Sequence, residues 1–163
     1  MATWAKLAKE ITSKSDVAFH PASVEDLAKL KALRVPPDAI SFFREFEPAE
    51  CAEIEGVRLW PVREVLAENS DYVPGCYIAQ HGYVVFATTL FGDTFCFDLN
   101  AIQQNKGTPV VLLAHDCWDW DEITPEIIGR LKKLAAADFE KFLEKYIAGS
   151  LDIEPNYEPL TPE

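Results

Sequence analysis

Basic residues, histidine and long apolar runs are all scarce in this chain. Fifteen Lys and Arg stand against 27 Asp and Glu, giving a formal net charge of −12 over 163 residues. A phosphate backbone needs a basic surface, so direct nucleic-acid binding is not expected, and an anionic membrane is disfavoured on the same ground. An acidic field does suit a basic protein partner, whose approach it accelerates. No apolar run is long enough to span a bilayer, and the opening MATWAKLAKEI lacks the apolar core of a signal peptide, which makes a cytoplasmic protein the expectation. The four cysteines, Cys51, Cys76, Cys96 and Cys117, form no CxxC pair and read as reduced thiols. There is neither a phosphate-binding Gly-rich loop nor a dinucleotide fingerprint.

Aromatic and aliphatic residues, by contrast, are plentiful and patterned. Trp4, Leu7, Ala8 and Ile11 share one helical stripe, with Thr3 as its N-cap. Ser23 to Asp26 resembles a capping box ahead of a helix carrying Leu27, Leu30 and Leu33. Val35-Pro36-Pro37 must end that helix, and Pro37 opens another with Ile40, Phe43 and Phe46 on its buried face. Ile54 to Val57 is a tight turn between short strands, and Pro61 to Leu66 a brief helical turn. Four segments, Cys76–Gln80, Tyr83–Thr89, Thr94–Leu99 and Pro109–His115, have strand composition. Turn signals at His81-Gly82, Gly92-Asp93 and Asn105-Lys106-Gly107 separate them, and such short gaps favour an antiparallel meander. Helix returns after Thr124-Pro125. One stripe holds Ile127, Ile128, Leu131 and Leu134, and a second holds Phe139, Phe142, Leu143, Tyr146 and Ile147, with Gly149 placed to end it. The expected fold is one α+β domain over residues 1–150, a mainly antiparallel sheet flanked by N- and C-terminal helices, with an acidic, proline-containing loose tail over 151–163. Trp4, Leu27, Leu30, Phe43, Phe95, Phe97, Phe139 and Phe142 are expected to be mostly buried.

The residues that could carry chemistry do not converge. His115-Asp116-Cys117, with Asp119 and Asp121 nearby, has metal-ligand character but lacks the second pair of ligands a zinc site needs. No base is aimed at a nucleophile, and the acids are too numerous for a catalytic pair to stand out. Catalytic, cofactor-binding and metal residues are therefore all assigned as none. Gly92 and Asp93 are assigned to a structural turn: Gly permits positive φ, and Asp accepts hydrogen bonds from nearby backbone. The informative segment is Asp116 to Glu122, where Trp118 and Trp120 interleave with acids. Tryptophan is enriched in interface hot spots, and carboxylates suit Lys and Arg on a partner. Trp118, Asp119, Trp120, Asp121 and Glu122 are accordingly the candidate partner-binding residues. The alternative is that one or both tryptophans tuck under the C-terminal helices while the acids stay in water.

Four segments in order resemble the SUKH superfamily, which includes bacterial toxin-immunity proteins and fungal regulators of cell-wall glucan synthesis. They are Leu33 to Asp38 leading into Ile40 to Phe46; Leu59 to Val65; Phe91-Gly92-Asp93-Thr94-Phe95-Cys96-Phe97-Asp98; and Ala136 to Leu143. The third looks like the family's central Gly-Asp hairpin. One departure is Phe46-Glu47-Pro48-Ala49, where members often place Asn-Gly. The resemblance implies a mainly antiparallel α+β fold and function through protein–protein contact. It points first to an immunity-type module neutralising a toxin by direct binding, the partner being a basic domain such as a nuclease. A regulatory scaffold akin to the glucan-synthesis regulators stands second, and a small hydrolase or metal-dependent enzyme third.

Overall fold

The computed structural model describes residues 3–101 and 107–159. Thr3 caps α1 (Trp4–Ser15), its hydroxyl accepting from the Lys6 amide. After β1 (Phe19–His20), Ser23 caps α2 (Val24–Ala32), and Pro37 opens α3 (Pro37–Glu45). There follow β2 (Glu47–Pro48), β3 (Ala52–Ile54), β4 (Val57–Leu59), α4 (Val62–Glu68), α5 (Gly75–Ile78), β5 (Tyr83–Thr89), β6 (Thr94–Asp98) and β7 (Val110–Leu113). Thr124 and Pro125 start α6 (Pro125–Leu131), β8 (Lys133–Ala136) comes next, and α7 (Phe139–Ala148) ends at left-handed Gly149.

Strands β3 to β8 form one six-stranded sheet in chain order, every pair antiparallel, while β1 and β2 pair separately. The fold is thus α+β with an antiparallel meander, as the turn spacing implied. All seven residues of β5 and all five of β6 are buried, because both faces of the sheet are covered. One face carries Val84, Phe86, Phe95, Phe97, Val110 and Leu112 into a core shared with α1, α3 and α7. A bulge between Val85 and Ala87 lets Ala87 join Phe86 on this side. Phe86 stacks on Phe97 at 4.2 Å between centroids and meets Phe142 edge-on at 4.8 Å. The other face carries Tyr83, Val85, Cys96, Val111 and Leu113, covered by Ile78, Trp120, Ile123, Ile128 and Leu131. There the buried Asp98 accepts from Lys132 Nζ at 2.7 Å, and that ammonium lies 5.6 Å from the Tyr83 ring centroid. Desolvation alone would lower the Lys132 pKa, but Asp98 and Tyr83 together hold it above its ordinary value.

Several expectations need correction. Cys76–Gln80 is not a strand. It forms α5 and a 3-10 turn, Ala79–His81, that runs into left-handed Gly82. Gly75, the first residue of α5, abuts the Glu68 carbonyl so closely that a Cβ would overlap it. A short apolar run does not declare its period. Leu134 is not on a helical stripe either: α6 stops at Leu131, and Leu134 pairs with Val111 on edge strand β8 with 68% of its surface exposed. On α3, Phe42 occupies the centre of the aromatic cluster and Phe46 is only half-buried. Trp4 is half-buried at the rim, 5.6 Å from Phe42, whereas the other seven expected core residues are buried. The Asn105-Lys106 part of the third turn lies outside the described residues. Beyond α7, residues 151–159 form no regular element. Lys133 nevertheless reaches both the Asp152 carboxylate and the Glu154 carbonyl, and Ile153 packs on the core.

Candidate partner-binding site

The β5–β6 hairpin organises the candidate site. Gly92, at φ +91°, turns the chain, and its amide donates to the Thr89 carbonyl at 3.0 Å. Asp93 follows, 2% exposed, with its own amide donating to Thr89 Oγ1. One oxygen of its carboxylate accepts from the His115 amide at 3.1 Å and from His115 Nδ1 at 2.8 Å. A carboxylate only accepts, so Nδ1 carries the proton in this contact. The Gly92-Asp93 turn therefore does more than reverse the chain: through His115, 22 residues downstream of Asp93, it clamps the start of the acidic-aromatic loop.

Trp120 fixes the other end of that loop. It is 4% exposed, packs in the second core with Ile123 and Ile128, and its indole donates to the His115 carbonyl at 2.8 Å. Trp120 is thus an internal anchor and not a surface contact, because the loop needs one large apolar group to hold it on the sheet. Trp118, at 37% exposed, points the other way and lines a shallow cleft of about 430 Å³ with Asp116, Cys117, Asp119 and Glu122. Asp119, Asp121 and Glu122 are exposed, the last two on a 3-10 turn that begins at Trp120. The five candidate residues are therefore split: four present themselves to solvent, and one holds them in place.

The hairpin tip adds residues that periodicity did not mark. Phe91 is 70% exposed and Leu90 nearly half exposed. With Asp93, Ile153, Glu154, Pro155 and Tyr157, Phe91 lines a further cleft of about 590 Å³. Since Asp93 also holds His115, this apolar tip and the acidic loop are joined through one buried carboxylate. The signal for Phe91 was available in the sequence, as a bulky aromatic directly before a Gly-Asp turn has no strand neighbour to cover it.

Asp93, His115 and Asp116 also bring one potential ligand atom each within 4.8 Å of one another. Of this group, His115 and Asp116 were visible as sequence neighbours, whereas Asp93 arrives only through folding. All four cysteines are free thiols. Burial pushes Cys96 up to about 12, and burial also raises Cys51 and Cys117.

An antiparallel meander with helices on both faces, and with the acidic-aromatic loop fastened on one of them, defines a small α+β domain. The chain belongs to the SMI1 / KNR4 family (SUKH-1), whose family model matches residues 20–145 and so spans all four resembling segments. A comparison with curated proteins finds no match. Among the described residues no helix is long and apolar enough to cross a membrane.

Proposed function

We propose that this protein is a non-catalytic, cytoplasmic binding module of the bacterial immunity type, which neutralises a toxin by covering it. The observation that carries the reading is the loop from Asp116 to Glu122: held by His115 on Asp93 and by the buried Trp120, it exposes one tryptophan among four acids. A preorganised surface binds without paying to order itself, and acids at its rim steer a basic partner. A basic toxin domain, such as a nuclease, fits that surface. Raised thiol pKa values at Cys51, Cys96 and Cys117 also fit a protein that does not use cysteine as a nucleophile.

The test is co-expression with the product of the adjacent reading frame. If that product arrests growth alone, wild-type protein should restore growth, and the combined Trp118→Ala, Asp119→Asn, Asp121→Asn, Glu122→Gln variant should not. An arrest that the wild type leaves unrelieved would contradict the immunity role. The family description favours one second reading, a regulatory scaffold, which predicts several transient partners and no growth arrest to relieve.

A further inference from the structure

A separate cleft, of about 610 Å³, shares no residue with the loop or the hairpin tip. Its walls come from three places. His20 and Glu47 lie opposite each other where β1 pairs with β2, Ser23 and Asp26 belong to the start of α2, and Trp60 to Glu64 link β4 to α4. Four carboxylates line it, from Asp26, Glu47, Glu50 and Glu64, against a single arginine, Arg63.

Glu47 sets this cleft apart from an ordinary acidic patch. It is only 7% exposed. One oxygen accepts from the Val62 amide at 3.1 Å. The other has no hydrogen-bond partner among the described residues, and since no fully enclosed side-chain oxygen is left unpaired, it faces the cleft. Among the described residues no Lys, Arg or His comes within ion-pair distance of it, and Arg63 forms no ion pair with any acid. Burial pushes the Glu47 carboxyl above its ordinary range, outweighing the Val62 amide and the more distant charges of His20 and Arg63, neither of which forms an ion pair with it. Lining the same cleft, Trp60 is held in orientation by its indole, which donates to Thr88 Oγ1 at 2.8 Å. An indole and a buried carboxylate lining one cleft have the chemistry to receive an organic cation, whose charge meets the acid while its alkyl stem lies on the ring.

We propose that this cleft seats one Arg or Lys side chain of a partner protein, with Glu47 as its counter-ion and Trp60 as its wall. The proposal extends the reading of the protein as a binding module but stands on residues that the loop does not contain.

The test titrates full-length protein with Nα-acetyl-arginine amide and with the uncharged isostere Nα-acetyl-citrulline amide, following the four tryptophan indole N–H signals by NMR. The Trp60 signal and the Val62 amide should shift saturably with the arginine probe and not with citrulline. Glu47→Gln keeps an acceptor for the Val62 amide but removes the charge. It should weaken the arginine response roughly tenfold, the scale of one charge-assisted contact, while melting no earlier than wild type. Equal responses to both probes, an unchanged response in Glu47→Gln, or shifts confined to Trp118 would overturn the proposal. Spermidine, a free polyamine, serves as the competing source of the same chemistry. Saturation by spermidine at far lower concentration than by the arginine probe would assign the cleft to a small amine and overturn the partner-side-chain assignment. Because no captured partner is needed, failure here leaves the loop reading intact, and failure of the loop reading leaves this result standing.

Discussion

The two faces of the central sheet are built differently. One packs into a core with residues of α1, α2, α3, α4 and α7 and is filled with interlocking aromatic rings, Phe42, Phe43, Phe86, Phe95, Phe97, Phe139 and Phe142. The other is covered by two helices of four and seven residues and by the loop that Trp120 holds down. The first face is where stability concentrates, since large buried side chains contribute through contact with many neighbours. The second is thin, and the residues on its outer side, Trp118 and the acids, are exposed to solvent. A rigid sheet backed by a dense core on one side can carry a contact loop on the other.

Substitutions should break that asymmetry in graded fashion. Phe142→Ala, at the centre of the aromatic face, should cost about 4 kcal/mol in denaturant unfolding and often prevent expression of folded protein. Trp120→Ala should cost roughly 3 kcal/mol, less than Phe142→Ala because the adjoining loop can partly collapse into the space. Its diagnostic sign is loss of the His115 contact, readable as faster amide exchange over residues 115–122. Asp93→Ala removes the acceptor of two His115 bonds and should cost about 2 kcal/mol, again loosening the loop while leaving far-UV circular dichroism unchanged. If Trp120→Ala proved as mild as a surface change, the second face would not depend on its loop, and the contrast would fail.

Glu47→Gln should have a small effect of opposite sign. A carboxyl whose folded pKa lies above its unfolded value binds protons more readily when folded, so stability falls as pH rises through that window. Gln removes this cost. The variant should therefore be slightly more stable than wild type at pH 7, with the gain shrinking as pH falls toward the ordinary carboxyl range near 4.5. A gain that persists unchanged in acid would show that Glu47 ionisation is not its source. The smallest effect belongs to the outer side of the loop. Asp119→Asn, Asp121→Asn and Glu122→Gln together should alter stability by no more than about 0.5 kcal/mol, because exposed acids carry little of the fold.

Sequence pattern and structure agree wherever a residue's role is local. Caps at Thr3, Ser23 and Thr124, the proline at position 37, the turn at Gly92 and the strand composition of β5 and β6 depend on immediate neighbours, and all were legible. Where partners are distant, the pattern was silent. The segment at Cys76 has strand-like composition, but it folds as α5 and a 3-10 turn, with Ile78 buried against the second face of the sheet. The run Lys133–Ala136 reads as a continuation of helix, but pairing with β7 draws it into the sheet as an edge strand. The candidate site divides in the same way. The mixture of tryptophan and acid was visible, but which tryptophan turns inward was not, since Trp118 and Trp120 differ only in what lies beneath them. Nor could spacing show Asp93 beneath His115, 22 residues away.

Site-specific photocrosslinking in the source cells tests the central claim most directly. A photoreactive phenylalanine analogue would replace Trp118, Phe91 or, as an exposed control on edge strand β8, Leu134. Positions 118 and 91 should both capture the same basic protein, position 134 should not, and the Asp119, Asp121 and Glu122 triple variant should reduce the yield. Capture of that protein from position 134 with none from 118 or 91 would place the interface elsewhere and contradict the account.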